Sequence, residues 1–270
     1  MRVLLTNDDG INAPGLSIMA RQLVADGHDV TIVAPLVQCS GSGTSIGSEI
    51  DGRSIEVTTV TLPGLEGVPA FAVDGPPALA ALAACHGLLQ VAPQIVVSGI
   101  NPGNNVGRLA AHSGTLGAVT TAASYGLPGI AVSCAAIPRD QFEATAAFLA
   151  LTLEPLTRHA VRTAAYNVNF PACPLNQVRG VRFSHFATPG PADLHLTREP
   201  GGFRIQLARD RSRAAADSDL ALLSEGYISI TVLSTGLPES HGSTGLAADL
   251  SAALESAQAT RAAPAAAVEQ

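Results

Sequence analysis

Residues 3–10, VLLTNDDG, form a short apolar run that breaks directly into two adjacent carboxylates. Neighbouring residues of a regular strand point to opposite faces, so Asp8 and Asp9 can face one ligand only where the chain leaves the strand. Gly10 makes that departure inexpensive. Open α/β sheets bind ligands at the carboxyl ends of their strands, and two like charges this close favour a cation between them. We therefore predict a divalent metal site; an Asx-type turn with a helix N-cap is the alternative for this octapeptide alone.

Strand and helix patterns alternate through the first half of the chain. Strands are predicted at 3–6, 30–34, 55–62, 70–73, 94–98 and 130–133, and helices at 14–25, 78–89, 114–125 and 141–156. Strands separated by helices of roughly 10 to 15 residues predict a parallel sheet that is covered on both faces. The fold class is therefore α/β with a mostly parallel sheet.

The second half of the chain is rich in strand patterns, namely YNVNFP, VRGVRFSHFA, GFRIQLA and GYISITVL. We predict one domain over residues 1–245, with a core to about 165 and a strand-rich, antiparallel extension over 166–245. This extension includes a hairpin arm, and such arms often pack across a dimer. Residues 246–270 are predicted to form an Ala-rich, partly disordered tail.

Composition excludes several classes of function. All 15 basic residues are Arg, which removes a P-loop lysine and a Schiff-base lysine. A net charge of -7 argues against a nucleic-acid polymer as partner. The four cysteines show no CxxC spacing, so structural zinc is not expected. With no apolar run near the roughly 20 residues of a membrane span and no leader pattern, we expect a cytoplasmic protein without a membrane partner.

Polar residues follow three of the predicted strands and open one predicted helix. They are Asn7, Asp8, Asp9, Ser40, Ser42, Asn101, Asn104 and Asn105, with Ser113, Gly114 and Thr115 at the helix start. Carboxylate, hydroxyl and amide oxygens suit Mg²⁺ or Mn²⁺ better than zinc or copper. Two carboxylates also balance the charge of one divalent ion.

The triplet Ser113–Thr115 offers backbone amides at a helix N-terminus, where the dipole favours an anion such as phosphate. An ordinary Ser or Thr N-cap is the alternative. The segment GINPGNNVG, residues 99–107, is Gly-rich without being GxGxxG, and its glycines can equally shape a tight turn. Each motif alone is a weak indication of a binding site. The prediction depends on all of them lying at one edge of the sheet.

Several motifs together resemble the SurE family, the survival-protein-E 5'-nucleotidases. They are MRVLLTNDDGINAPG, SGINPGNNVG, HSGTLGA, NVNFP and SDLALLSEGYISITVL, in order from Met1 to about Leu233. The resemblance implies a Rossmann-like sheet and a C-terminal arm that exchanges in homodimers or homotetramers. It also implies a metal-dependent phosphomonoesterase that acts on nucleoside monophosphates.

The resemblance further implies roles for individual residues. Asp8 and Asp9 match the catalytic carboxylates, which with Ser40 and Asn101 would bind one Mg²⁺ or Mn²⁺ per subunit; Ser42 is the competing hydroxyl. The implied phosphate-binding and substrate-binding residues are Asn105, Arg108, His112, Ser113, Gly114 and Thr115.

The chain departs from the family pattern around the expected pocket rim. The residues that differ are Cys39, Pro76, Leu79, Arg108, Leu109, His112 and Thr121. None of them is an implied metal ligand, so the chemistry is expected to be retained. The preferred base or sugar stays open.

The leading hypothesis is a phosphatase in which a metal-activated water attacks a phosphomonoester. One alternative is a SurE-like phosphatase for a phosphorylated sugar or specialised metabolite, and another is a non-catalytic nucleotide-binding homologue. Nucleoside hydrolases also hold a cation with acids and asparagines, but their DxDxxxDD spacing differs from the adjacent pair here. Haloacid-dehalogenase phosphatases need one residue between their two acids.

Overall fold

The structure of the chain is a computed structural model that describes residues 1–48, 51–90, 92–135, 139–159, 164–187, 192–209, 214–234 and 244–262. Its strands are β1 Arg2–Thr6, β2 Asp29–Pro35, β3 Val57–Thr59, β4 Ala70–Val73, β5 Ile95–Pro102, β6 Gly129–Cys134, β7 Ala164–Phe170, β8 Val181–Ser184, β9 Ala192–Glu199, β10 Gly202–Arg209 and β11 Ile228–Ser234. Its helices are α1 Pro14–Ala25, α2 Pro77–Cys85, α3 Gly114–Ser124, α4 Arg139–His159, α5 Asp219–Ser224 and α6 Thr244–Ala262.

One twisted sheet carries nine of these strands in the order β3-β4-β2-β1-β5-β6-β7-β11-β8. Pairing is parallel from β4 through β7, while β3 pairs antiparallel with β4 and β11 pairs antiparallel with β7. Strands β9 and β10 form a separate antiparallel hairpin. The predicted α/β class with a mostly parallel sheet and a C-terminal hairpin is confirmed.

Helices cover both faces of the sheet because the strands are apolar on both sides. Helices α1, α4 and α6 pack on one face, where Leu16, Phe148 and Leu254 belong to the larger core. Helices α2 and α3 pack together on the other face, whose core is built mainly of alanine and valine. Small side chains on α3 let this helix approach the sheet closely.

Two boundaries from the sequence are corrected. The predicted core ended near residue 165, but β7 continues the parallel sheet to Phe170, in register with β6 from Gly129 to Cys134. The segment after residue 245, expected to be a tail, forms α6 and buries Leu250 and Leu254 against the domain. Its apolar residues are spaced for a helix face, which the alanine-rich composition obscured; residues 263–270 lie outside the described residues.

The chain direction reverses beside β1. It runs from β1 outward through β2 and β4, and then returns to place β5 on the other side of β1. Such a switch point opens a crevice at the carboxyl ends of the two central strands. Asp8 and Asp9 follow β1, and Asn101 ends β5, so the sheet brings these distant residues together.

Among the described residues, no helix is both long enough and apolar enough to cross a membrane.

Candidate active site

A turn built by Asn7 directs the two acids out of the sheet. Asn7 Oδ1 accepts from the Gly10 N–H at 3.2 Å, and Asn7 Nδ2 donates to the Gly10 carbonyl at 3.0 Å. Gly10 has a φ of 99°, a conformation that favours glycine. Helix α1 begins after Ala13, which makes no side-chain cap. The turn is therefore the Asx-type turn of the alternative, but Asn7 builds it, and no side chain caps α1. Neither carboxylate is used in the turn or as a cap.

Both carboxylates line a cleft of about 280 Å³ at the predicted edge of the sheet. Its walls are Asp8, Asp9, Gln38, Ser40, Gly41, Asn101, Pro102, Asn105, Leu109, His112 and Ser113. Seven of these are sequence-predicted site residues. Sequence reasoning missed Gln38 and Gly41 as lining residues, although they flank Ser40 in the Gly- and Ser-rich loop.

Asp8 is held by a residue buried behind the cleft wall. The Thr115 hydroxyl donates to Asp8 Oδ1 at 2.7 Å, and Thr115 is completely buried. Asn105 Nδ2 in turn donates to Thr115 Oγ1 at 3.3 Å and to Ser133 Oγ at 2.9 Å. The turn after β1, the loop after β5, the first turn of α3 and strand β6 are thus joined by one run of hydrogen bonds.

The electrostatics of the cleft favour a cation. Burial raises the pKa of Asp8, although the hydrogen bond from Thr115 and the backbone N–H groups of Gly114 and Thr115 oppose that rise. Burial raises the pKa of Asp9 to about 6, and the neighbouring Asp8 charge adds to the shift. Asp9 Oδ2 is buried without a hydrogen-bond partner among the described residues. A positive charge between the two acids would relieve both effects.

The two candidate hydroxyls have different environments. Ser40 lines the cleft, and its Oγ accepts from Gln38 Nε2 at 2.9 Å. Ser42 Oγ is buried without a partner in the described part of the chain, and it lies behind Gly114. A Cβ on Gly114 would lie 2.6 Å from Ser42 Oγ and 2.8 Å from Asp8 Cβ. The glycine of the SGT triplet is therefore required by close contact with the acid turn.

Comparisons with known proteins show the family of the chain. The family model described as survival protein SurE matches residues 3–190. The chain belongs to the SurE family. The 5'/3'-nucleotidase SurE of Serratia proteamaculans is 35% identical over 243 residues, covering 88% of this chain and 91% of that protein. The 5'/3'-nucleotidase SurE of Salmonella typhimurium is 34% identical, with the same coverage. The family resemblance inferred from the motifs is confirmed.

A solved structure of the family has the same fold. The crystal structure of the SurE protein from Aquifex aeolicus superposes with a TM-score of 0.72 at 24% identity, covering 88% of this chain and 95% of that one. The fold is therefore that of a SurE protein over most of the chain.

The start of α3 is capped by Ser113, which also borders the cleft. Ser113 Oγ accepts from the Leu116 N–H at 3.2 Å, which makes Ser113 an N-cap. Ser113 also lines the cleft, whereas Gly114 and Thr115 lie behind it against Asp8. The first turn of α3 in this SurE protein therefore contacts Asp8 through Gly114 and Thr115. It also contributes Ser113 to the lining of the cleft.

Three of the residues expected to differ from the family pattern, Arg108, Leu109 and His112, lie on a short 3₁₀ helix, Gly107–His112. Leu109 and His112 line the cleft, while Arg108 lies outside the lining residues. His112 also accepts from the Gly43 N–H through its carbonyl at 3.1 Å, which ties the rim to the serine loop. Two of the positions at which this chain departs from the SurE pattern thus border the cleft.

Asp219 anchors this rim, and sequence reasoning missed it. Its carboxylate is fully buried and accepts from the N–H groups of Gly107 at 2.7 Å, Ala187 at 3.0 Å and Leu220 at 2.7 Å. Burial raises the pKa of Asp219, and these three donors oppose the rise. An acid at the start of the apolar SDLALL segment was the available signal.

Proposed function

We propose that this chain is a divalent-metal-dependent phosphatase that releases inorganic phosphate from nucleoside monophosphates, as a 5'/3'-nucleotidase. Phosphoric monoester hydrolysis is the activity named for its SurE relatives. The observation that carries the proposal is the pair of adjacent carboxylates at the switch point, with Asp8 buried and Asp9 half-buried. Asp9 Oδ2 lacks a partner among the described residues, and its pKa is raised to about 6.

The donor set fits a hard divalent ion. Asp8, Asp9, Ser40 and Asn101 present oxygen donors to one cleft and would hold Mg²⁺ or Mn²⁺, one per subunit. Within the described residues, no three His, Cys, Asp or Glu side chains come together as a metal cluster. That is the expected result for two carboxylates completed by neutral oxygens. Ser40 is favoured over Ser42 because Ser42 lies behind Gly114.

Such an ion supplies positive charge for the phosphate oxygens and acidifies the attacking water. In the proposed reaction, the water oxygen would form a bond to phosphorus as Asp9 takes a proton from the water, the ester P–O bond would break, and the leaving alkoxide would take up the proton that Asp9 accepted. Thr115 fixes the orientation of Asp8, and Asp9 accepts a proton from the water. Ser113 would bind a phosphate oxygen, and His112 would face the leaving group from the rim. Asn105 donates both Nδ2 hydrogens to Thr115 and Ser133, so its role would be to support Thr115. Arg108, which lies outside the lining residues, stays a predicted substrate-binding residue.

The test of this proposal is phosphate release by the wild-type protein with Mg²⁺ or Mn²⁺ over nucleoside 5'- and 3'-monophosphates and sugar phosphates. Asp8→Asn should abolish metal-dependent release, whereas Asp217→Asn, on an exposed side chain, should leave it unchanged. Preference for sugar phosphates would favour the specialised-metabolite alternative. Nucleotide binding without turnover would support the non-catalytic homologue and overturn the proposal, as would free base among the products.

A homodimer or homotetramer through the C-terminal arm is a second part of the proposal. The β9–β10 hairpin exposes Leu196, Phe203 and Ile205, with exposed fractions of 60%, 63% and 57%. Ile205 pairs with Leu196, and Phe203 lies two residues away, so the three side chains share one face. An apolar face of this kind fits a second copy of the chain. The cytoplasmic location expected from the sequence stays a prediction.

A further inference from the structure

Two asparagines occupy a strand that is otherwise apolar and entirely buried. Asn167 and Asn169 lie at alternate positions of β7 and are both 0% exposed. They therefore share one face of the strand, while Tyr166, Val168 and Phe170 pack in the core on the other. Burying two amides costs free energy unless they are hydrogen-bonded. Their partners should therefore explain why the strand contains them.

Both asparagines bind the backbone of Asn105. Asn169 Oδ1 accepts from the Asn105 N–H at 2.8 Å, and Asn169 Nδ2 donates to the Asn105 carbonyl at 3.1 Å. Asn167 Nδ2 donates to the same carbonyl at 2.8 Å. Both polar backbone groups of a loop residue are thus bound by side chains more than sixty residues away in sequence. The backbone groups of a loop residue usually bond to neighbouring residues or to water. Those of Asn105 bond instead to side chains of the central sheet.

The bound residue belongs to the cleft. Asn105 lines it and donates through Nδ2 to Thr115 Oγ1 at 3.3 Å and to Ser133 Oγ at 2.9 Å. Thr115 donates onward to Asp8 Oδ1 at 2.7 Å. A continuous run of hydrogen bonds therefore leads from the centre of β7 to the proposed metal carboxylate.

We propose that Asn167 and Asn169 are positioning residues of the phosphate site. They hold the Asn105 backbone, so that its side-chain amide donates to Thr115 and Ser133 and supports Thr115 behind Asp8. This inference rests on the proposed function and assigns a role to the NVN of the NVNFP motif, which no functional assignment above uses. Asn169 makes two bonds to Asn105. Asn167 makes one, and its Oδ1 has no hydrogen-bond partner among the described residues. We therefore expect Asn169 to contribute more than Asn167 to the position of Asn105.

The first experiment compares kinetics at matched stability. Asn169→Leu keeps a similar side-chain volume but removes both hydrogen bonds to Asn105. Asn169→Ser keeps a polar side chain, but that side chain is too short to reach the Asn105 backbone. Each should lower kcat for phosphate release about 10- to 100-fold, the cost expected of an ångström-scale misplacement. Asn167→Leu should cost less than Asn169→Leu. Leu153→Ala, in the distant core, should lower Tm without lowering kcat in folded protein.

The second experiment asks whether Asn169 acts through Asn105. In a double-mutant cycle, Asn105→Ala combined with Asn169→Ser should lose no more activity than Asn105→Ala alone, because one residue works through the other. Fully additive losses would overturn the proposal. A kcat for both Asn169 variants within twofold of wild type would overturn it as well.

A readout independent of turnover separates this inference from the proposed function. In wild-type protein the backbone N–H of Asn105 should exchange slowly with deuterium, because it donates a hydrogen bond to the buried Asn169 side chain. In Asn169→Ser that exchange should accelerate at least tenfold, and the affinity for inorganic phosphate, measured by calorimetry with Mn²⁺ present, should fall. If the wild-type chain releases no phosphate from any ester, the nucleotidase proposal fails. Even then, the deuterium-exchange rate of Asn105 tests whether the asparagines position this residue. An unchanged exchange rate in Asn169→Ser would overturn that role.

Discussion

Thr115 donates its hydroxyl hydrogen to Asp8 Oδ1 across 2.7 Å, which joins the first turn of α3 to the end of β1. The residues are 107 positions apart in sequence, and Thr115 is inaccessible to solvent. A buried donor that cannot turn toward water holds the carboxylate in one orientation. Because the bond favours the ionised acid, it also limits the rise in the pKa of Asp8 that burial causes.

Thr115→Val should test this relationship with little change in volume. Asp8 loses an orienting donor, so we expect phosphate release to fall by about 10- to 100-fold, the range typical of a displaced catalytic group. Mn²⁺ affinity, measured by calorimetry, should fall in parallel. Thr120→Val, farther along the same helix, is the control and should retain activity. Wild-type metal affinity in Thr115→Val would contradict the orienting role.

Gly114→Ala should disrupt the contact between α3 and the acid turn. The added Cβ would lie 2.8 Å from Asp8 Cβ and 2.6 Å from Ser42 Oγ, distances that require the helix start to move. We expect a loss of about 1–3 kcal/mol in the free energy of unfolding, with activity falling further than stability alone explains. Gly67→Ala, whose Cβ would meet no atom within 4 Å, is the control. Equal activity in the two variants would contradict the proposed contact.

The parallel core and the convergence of the acid and asparagine loops could be predicted, because both follow from local patterns. Apolar runs of alternating strand and helix length specify the sheet, and the sheet brings the ends of β1 and β5 together. The support of the site could not be predicted in this way. Asn169 and Asn105 are 64 residues apart, and Asp219 and Gly107 are 112 apart.

No short-range pattern reports such pairs. The available signal is weaker, namely a polar residue where periodicity demands an apolar one, as at Asn167 and Asn169 within β7. The packing of α6 was missed for the opposite reason. Its alanine-rich composition resembles a disordered tail, while only a few buried side chains, such as Leu250 and Leu254, hold it to the domain.

Metal-free protein should become more stable when Asp9 is neutralised. Its folded pKa of about 6 exceeds the reference value of 3.8, so the folded state prefers the protonated acid. The free energy of unfolding of the metal-free protein should therefore fall as pH rises from about 4 to 6 and stay low above that. At pH 7.5 Asp9→Asn should raise the free energy of unfolding of the metal-free protein by on the order of 1 kcal/mol. This value is smaller than the full pKa shift would give, because solvent still reaches this half-buried group.

The thermal denaturation series that checks this prediction has an internal control. At about pH 2.5, well below the reference pKa of 3.8, the Asp9→Asn and wild-type proteins should unfold alike, because the acid is then protonated in both the folded and the unfolded state. Addition of Mn²⁺ at pH 7.5 should raise the Tm of wild type and leave that of Asp9→Asn nearly unchanged. A variant that is less stable than wild type without metal would refute the repulsion inferred between Asp8 and Asp9.

Asp219→Ala should loosen the cleft rim. It removes the acceptor for three backbone N–H groups and leaves those of Gly107 and Ala187 buried, which costs about 2–4 kcal/mol of unfolding free energy. Because Gly107 begins the 3₁₀ helix that carries His112, KM should rise as well. Asp217→Ala, two residues away on an 81% exposed side chain, is the matched control and should stay within about 0.5 kcal/mol of wild type. Equal melting temperatures for the two variants would contradict the anchoring role.

The hairpin offers a test of assembly with controls one residue apart. Ile205 lies on the face shared with Leu196 and Phe203, whereas the exposed Gln206 points to the opposite face. Ile205→Asp should therefore dissociate a dimer built on the apolar face, as measured by light scattering after size exclusion, while Gln206→Asp should not. A monomeric wild-type chain, or equal masses for the two variants, would contradict the proposed interface.

Assembly through the hairpin also has a consequence for the active site. Strand β9 lies against the Gly107–His112 helix, whose Leu109 and His112 line the cleft. In the proposed assembly, contacts from the second copy of the chain would steady the hairpin against this rim, and Ile205→Asp would remove them. We therefore expect Ile205→Asp to raise KM for a nucleoside monophosphate while the metal-binding carboxylates, which depend on β1 and α3, keep their Mn²⁺ affinity. Loss of Mn²⁺ binding in this variant would mean that the hairpin supports the acid pair itself.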